Sequence, residues 1–250
     1  MKQQLHKILD TKWGKIAFWI IWPAFVFYSV QYIIPLVLWM FVGDNLASLA
    51  NNAVFSTVYS AVVYVIILAG VFYIPKYAFG QKITKKDIGV TGLPTWTDIG
   101  LGFAGLIVAM LLAGILSAIA TSIIPGFDPS EAQDVGFSNL SQSYQFIMAF
   151  IALVVVAPAA EELIFRGVIY GEMRKVNPYL ATIIVSLMFG IAHGQLNVSI
   201  TTFAMSLVMC FMREKLTGTV WSTIILHMIK NAVAFYFLFI APEILQSLPQ

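Results

Sequence analysis

The chain has 250 residues and a net charge of only +2, with 60% hydrophobic and 10% charged residues. Soluble domains carry about 25% charged residues, so this composition excludes an ordinary soluble protein and indicates an integral membrane protein. The small net charge provides no basic surface for nucleic acid, and we expect no nucleic-acid partner. The length suits one compact bundle of membrane spans rather than several domains.

The first long apolar run follows a basic N-terminal segment. A cleaved signal peptide has a shorter apolar run and a small-residue cleavage site, so we interpret this run as a retained span. Segments of roughly 20 mostly apolar residues can cross a bilayer. The sequence therefore predicts an all-α, polytopic transmembrane helix bundle. It has about seven candidate spans, at about 16–42, 53–74, 99–124, 144–173, 179–195, 197–212 and 218–240.

Basic and non-basic connections alternate between these spans. The basic ones are the N-terminal segment, the connection that holds Lys82 and Lys85, the turn at Arg174, and the connection at Arg213. The connections between them contain no lysine or arginine. Since basic connections stay on the cytoplasmic side, we predict that the N-terminus is inside and the C-terminus is outside.

Ionisable side chains inside membrane spans are costly and are functional candidates by default. Away from the span ends, this chain has Glu161, Glu162, Arg166, His193, His227 and Lys230. Glu162 and Arg166 are four residues apart and can pair on one helix face, whereas Glu161 points about 100° away from Glu162. We interpret the pair as structural and Glu161 as the carboxylate left for chemistry. We interpret Lys230 as a snorkelling or paired side chain.

The chemical candidates lie at similar depth in three separate spans. Glu161 and His193 each lie sixteen residues from Asn177, in the predicted turn between the fourth and fifth spans, and so about 24 Å from that turn. His227 and Asn231 share a face of the last span, about 14 and 20 Å along it. The sequence therefore predicts that a carboxylate, two imidazoles and an amide converge on one site.

This set of side chains suits hydrolysis by activated water. A desolvated carboxylate can act as a general base on water, and an asparagine amide is a good oxyanion donor. Histidines can orient the water, bind a metal or donate to the oxyanion. The chain lacks a GxSxG nucleophile motif, an HExxH zinc helix and an aspartate in a span interior. What remains is attack of activated water on an amide bond.

Three motifs bring these residues into a known pattern. They read EELIFR at 161–166, FGIAH at 189–193 and HMIKN at 227–231. In this order they resemble the EExxxR, FxxxH and HxxxN motifs of the CPBP intramembrane proteases, also called CAAX-protease-and-bacteriocin-processing or Abi proteins. The resemblance covers about residues 144–240, the last four spans.

The resemblance implies an intramembrane metalloendopeptidase in the lipid bilayer, acting on a membrane-associated peptide or protein. By motif position, Glu161 would activate water with help from His193. His227 and Asn231 would stabilise the oxyanion. Zinc is a possible cofactor that Glu161, His193 and His227 could ligate, and a metal-free site is the alternative.

The same resemblance implies supporting residues and a division of the chain. Glu162, Arg166 and Phe189 would hold the helices of the site in place. Residues 1–143 would contain the basic segment and the first three spans, and 144–250 the protease core, within one compact membrane domain. Small size and the lack of organelle signals favour the plasma membrane of a prokaryote.

Two other classes of function compete with this hypothesis. A non-catalytic scaffold or bacteriocin self-immunity protein could use the same fold, although a scaffold has no need of every catalytic position. A transporter could use buried glutamate and histidine to relay protons, although the sequence has no inverted repeat of the kind many transporters show.

Overall fold

A computed structural model of the chain describes residues 9, 11–131, 133, 135–137 and 140–246, and every regular segment among them is helical. Lys2 and Lys7 of the basic N-terminal segment lie outside the described residues. The helices, in chain order, are α1 Lys12–Val42, α2 Asn45–Ala50, α3 Ala53–Ala78, α4 Trp96–Ile123, α5 Ser143–Met173, α6 Pro178–Ile191, α7 Leu196–Thr217, α8 Trp221–Ile240 and α9 Pro242–Gln246.

The expected polytopic helix bundle is confirmed. In the described part of the chain, six helices are long and apolar enough to cross a membrane, namely α1, α3, α4, α5, α7 and α8. Helix α6 is apolar but has only 14 residues, about 21 Å, against a hydrocarbon core of about 30 Å. The predicted span at 179–195 is wrong at its C-terminal end, because the helix ends at Ile191. The orientation of the bundle stays a prediction.

Helix α6 ends early because Gly194 adopts a left-handed conformation with φ of +72°, a common helix terminator. The backbone N–H of His193 consequently bonds to Gly190 O at 3.1 Å. In a continued α-helix it would bond to Phe189 O instead. The early end therefore leaves the carbonyl of Phe189 available to a side chain.

Helix α5 is interrupted by two wider, π-helical turns, Ile151–Val156 and Leu163–Ile169. Such turns often occur at functional sites. In the first turn the N–H of Ala157 reaches back to Ala152 O. In this register the partner of Leu153 O would be residue 158, but Pro158 has no N–H. The carbonyl of Leu153 is thereby left open to another donor.

Helix α5 packs against α1, α3, α6 and α8. Helix α4 packs against α7 and α8, α7 against α6, and α8 against α5, while α1 pairs with α3. Glycines bring α4 close to its partners. A Cβ atom at Gly102 would lie 2.7 Å from Ile225 Cγ2, and one at Gly105 would clash with Met212 Sδ. Such small residues are what close helix contact in membranes requires.

The connection between α3 and α4 folds over one end of the bundle. Its residues 80–92, with Arg213 and Lys175, form what we call the latch. The Arg213 guanidinium donates to Asp87 O at 2.5 Å and to Gly167 O at 3.2 Å, and the Asp87 carboxylate pairs with the Lys175 ammonium at 2.8 Å. The latch ties the connection to α5 and α7.

Candidate active site

A cavity of about 220 Å³ lies between α3, α5, α8 and the turn after α6. The connection between α4 and α5 contributes Gln133 and Val135 to its wall. The ionisable and amide side chains that line it on the spans and the turn are Tyr64, Glu161, His193, His227, Lys230 and Asn231. The structure thus brings together the four residues to which the sequence assigns catalysis, while their roles stay a prediction.

The two neighbouring glutamates have different surroundings. The Glu161 side chain is 17% exposed, whereas the Glu162 side chain is fully buried. Glu161 Oε1 accepts a hydrogen bond from the Tyr64 hydroxyl at 2.5 Å, and Glu161 Oε2 lies 3.9 Å from His227 Nε2. Glu162 Oε1 accepts from Arg166 Nη1 at 2.8 Å. The expected pairing of Glu162 with Arg166 is therefore present, and Glu161 faces the cavity.

Phe189 is the packing centre of the site. The Arg166 guanidinium lies 4.1 Å above its ring, a cation–π contact. The rings of His193 and His227 meet it edge-on at 4.9 and 5.7 Å between centroids. Phe189 is fully buried, so it fixes both imidazoles against the Glu162–Arg166 pair.

The hydrogen bond of His193 defines which ring nitrogen faces the site. Its Nδ1 lies 2.8 Å from Phe189 O, the carbonyl left open by the early end of α6. A carbonyl only accepts, so Nδ1 carries the hydrogen. In a neutral ring Nε2 is then an acceptor, able to hold a water molecule or take up a proton.

His227 is oriented by the buried glutamate. Its Nδ1 lies 3.1 Å from Glu162 Oε1, and since a carboxylate accepts, Nδ1 carries the hydrogen. Nε2 therefore points towards Glu161 Oε2. A neutral His227 presents a lone pair there, and only the imidazolium can donate from Nε2. Glu162 thus does more than pair with Arg166, because it also orients the His227 ring.

Asn231 is held by the open carbonyl of α5. Its Nδ2 donates to Leu153 O at 2.8 Å, the group freed by the π-helical turn and Pro158. An amide nitrogen has two hydrogens. One fixes the orientation of Asn231 and the second is left to donate within the cavity that the side chain lines.

Zinc ligation by Glu161, His193 and His227 stays a prediction. Among the described residues, no group of three or more histidine, cysteine, aspartate or glutamate side chains is placed to hold a metal ion. Two ligands of a tetrahedral zinc ion lie about 3.3 Å apart, closer than the 3.9 Å between His227 Nε2 and Glu161 Oε2. We therefore derive no step through a metal.

Sequence reasoning missed Tyr64, because the first two spans contain none of the motifs. Tyr64 is the twelfth of the 26 residues of α3, far from the membrane surfaces where tyrosines usually lie. A phenol at the middle of a span needs a hydrogen-bond partner, and this position was the available signal. The structure shows that the partner is Glu161.

Comparisons with known proteins agree with the motifs. The model of a family described as type II CAAX prenyl endopeptidase Rce1-like matches residues 143–233. YdiL of Bacillus subtilis, named as a membrane peptidase, is 30% identical over 187 residues, which cover 62% of this chain and 75% of YdiL. No solved structure matches the chain.

Two further relatives are more distant. MroQ of Staphylococcus aureus, named as a membrane-embedded CAAX protease, is 27% identical over 159 residues, covering 59% of this chain and 60% of MroQ. YyaK of Bacillus subtilis, an uncharacterized protein, is 26% identical over 197 residues, covering 74% of this chain and 61% of YyaK. The matches thus span about three fifths of the length of these two relatives.

Proposed function

This chain belongs to the CPBP family of CAAX-protease-like membrane proteases, and we propose that it is an intramembrane endopeptidase that uses water activated by Glu161. One observation carries the proposal. Of two adjacent glutamates in the same helix, Glu162 is buried and paired, while Glu161 is partly exposed in a cavity that also contains both histidines. A general base needs an oxygen that water can reach, and Glu161 has one.

In the proposed reaction, water lies between Glu161 Oε2 and His193 Nε2. The Tyr64 hydroxyl occupies Glu161 Oε1 and so leaves Oε2 for the water. Glu161 takes a proton from the water as its oxygen bonds to the carbonyl carbon of the substrate. The resulting tetrahedral intermediate has a negative oxygen and intact C–N bond. Glu161 then gives its proton to the amide nitrogen as that bond breaks.

Asn231 and His227 stabilise the negative oxygen in this scheme. Asn231 donates its second amide hydrogen, and His227 donates from Nε2 as an imidazolium whose other nitrogen is hydrogen-bonded to Glu162. Donors fixed in advance are effective because they need no reorganisation during the reaction. Asn231 is fixed by Leu153 O and His227 by Glu162.

The walls of the cavity support a proposal for the substrate class. Besides its polar groups, the cavity is lined by apolar side chains of α8, including Ala234, Phe235 and Leu238. These suit apolar residues next to the cleaved bond. We propose a membrane-associated peptide or protein as the substrate and the plasma membrane as the site of action. The relative MroQ, named as a CAAX protease, supports a peptide substrate of this kind.

Proteolysis in liposomes tests the proposal. The wild type, Glu161→Gln and Glu172→Gln would be reconstituted and given a library of fluorogenic peptides with apolar residues around the bond. Cleavage by Glu161→Gln should fall by about 10²–10⁴-fold. Glu172, which pairs with Lys175 beyond the cavity, serves as the control and its variant should remain active. A wild type that cleaves no peptide would favour the scaffold alternative, and a fully active Glu161→Gln would reject Glu161 as the base.

The proposed steps use only side chains and need no metal. A separate experiment therefore tests whether zinc takes part. Purified active protein should contain substoichiometric metal and should stay active after treatment with a chelator. Stoichiometric zinc, with activity lost on chelation and restored by zinc, would assign metal ligation to Glu161, His193 and His227 as the family label implies.

A further inference from the structure

Lys230 is a cation at the centre of a membrane span. Helix α8 has 20 residues from Trp221 to Ile240, and Lys230 is the tenth, about 14 Å from one end and 15 Å from the other. Lysines near helix ends can snorkel to the membrane surface, but this one lies at the midpoint. Its side chain lines the cavity that contains Glu161, His193 and Asn231.

No described residue neutralises Lys230 by direct contact. It takes part in none of the ion pairs within 4.0 Å among the described residues, although the carboxylate of Glu161 lines the same cavity. The two buried arginines differ, because Arg166 pairs with Glu162 and Arg213 donates to two backbone carbonyls. An uncompensated charge at this depth is costly, and a ligand of opposite charge would recover part of that cost.

We propose that Lys230 is a binding subsite for a carboxylate of the substrate peptide, an inference that rests on the proposed peptidase function. A peptide offers two such groups, its C-terminal carboxylate and the side chains of aspartate and glutamate. Glu161 would repel either of them from the cavity. Lys230, next in the chain to Asn231, offsets that repulsion and selects substrates with an anion close to the cleaved bond.

A different role for Lys230 predicts a different result. If its ammonium stabilised the oxyanion, it would accelerate the cleavage of every peptide, since every amide forms that oxyanion. A carboxylate subsite acts only on peptides that have the carboxylate. The ratio of kcat/KM between an acidic peptide and its neutral analogue therefore separates the two roles, whatever the absolute rates.

The experiment uses matched fluorogenic peptides in liposomes. One pair differs only in a free or amidated C-terminus, and a second pair differs only in an internal glutamate or glutamine. The wild type should prefer the carboxylate member of at least one pair by about 10–100-fold, the range expected for a hydrogen bond between charged groups. The pair that shows the preference identifies the source of the carboxylate.

Two variants and a control accompany the wild type. Lys230→Met, of similar length without the charge, should reduce the preference to about one, and Lys230→Arg should retain it. Lys215→Met removes an exposed lysine of α7 outside the cavity and should leave the preference unchanged. The proposal is overturned if the wild type shows no preference in either pair, or if Lys230→Met lowers both members of a pair equally. The wild-type comparison holds even if a variant fails to fold.

Binding separates this proposal from the peptidase proposal. Glu161→Gln and the double variant Glu161→Gln with Lys230→Met would be titrated with the same peptides carrying a fluorescent label. Tighter binding of the carboxylate peptides that depends on Lys230 would support the subsite even if the wild type cleaved nothing. Cleavage without any carboxylate preference would retain the peptidase function and reject the subsite.

Discussion

The cavity and the latch both place charged side chains against helix α5, yet they use them differently. In the latch, the Asp87 carboxylate is paired with Lys175 and held by Thr84, and the Arg213 guanidinium is anchored on backbone carbonyls. In the cavity, Glu161 Oε2 accepts no hydrogen bond from the described residues and lies 3.9 Å from His227 Nε2, and Lys230 has no ion-pair partner among them. A charged side chain whose atoms are all paired thus indicates a structural role in a membrane protein. One that keeps an accessible atom indicates a chemical role.

The first prediction concerns the sides of the membrane on which the two regions lie. Helix α4 begins just after the latch and ends just before the connection that lines the cavity, and its 28 residues span about 42 Å. Single cysteines at Lys85 and Ser130, both exposed, should therefore react from opposite sides of intact cells, Ser130 from outside. Native Cys210 is fully buried, and the wild type, which contains only this cysteine, measures the background labelling. Labelling of both from one side would contradict the predicted orientation.

The second prediction contrasts the effects of Glu161→Gln and Glu162→Gln on stability and on cleavage. Glu162→Gln leaves the buried Arg166 without its ion-pair partner, so the free energy of unfolding should fall by about 3–5 kcal/mol. Glu161→Gln should lose cleavage and keep near-normal stability, because its side chain is partly exposed. Thermal unfolding in detergent and the peptide assay measure the two effects. Normal stability of Glu162→Gln with unfolding of Glu161→Gln would reverse the assignment.

Asn231 tests whether the cavity stabilises the transition state rather than the bound substrate. Removal of one oxyanion donor typically costs about 10²–10³ in kcat, so Asn231→Ala should lower kcat by that factor with little change in KM. Steady-state kinetics on the best library peptide measures both. A raised KM with unchanged kcat would instead assign Asn231 to substrate binding.

Tyr64→Phe should have a smaller effect, because Tyr64 orients Glu161 without touching the substrate. It removes a hydrogen bond to a carboxylate, worth about 1.5–3 kcal/mol, and kcat should fall by about 10–100-fold. Tyr59→Phe on the same helix is the matched control, since the Tyr59 ring stacks on Phe55 away from Glu161. Equal losses in the two variants would reject the positioning role.

Loss of the ion pair in the latch should have the smallest effect on stability, and this effect should depend most clearly on pH. Partial burial raises the pKa of Asp87, but hydrogen bonds from Lys175 and Thr84 outweigh it and lower the pKa to about 2. Because the folded pKa lies below the ordinary value of 3.8, the stabilisation is complete above about pH 4 and is lost as the pH falls towards 2.

Thermal unfolding of the wild type and Asp87→Asn measures this contribution. At pH 7 the variant should be less stable by about 1 kcal/mol or less, since both side chains of the pair are partly exposed to solvent, and should keep its kcat. The difference between the two proteins should shrink as the pH falls from 4 to 2. A difference that stays constant over this range would show that the ion pair is not its cause.

Local patterns in the sequence determined much of the fold and which residues line the cavity. Hydropathy predicted the spans, because a bilayer requires long apolar helices. Helical spacing predicted the pairing of Glu162 with Arg166, since residues four apart share a face wherever a helix forms. The motifs selected Glu161, His193, His227 and Asn231, and similar depth along the helices predicted that they meet.

Only the tertiary structure decided which atom each of these residues presents. Tyr64 reaches Glu161 from a helix 97 residues away in sequence, and no local spacing encodes such a contact. The carbonyls that orient His193 and Asn231 are open because α6 ends early and α5 widens before Pro158. Hydrogen bonds between distant helices depend on how the bundle packs, so the sequence alone gave the chemical groups but not their directions.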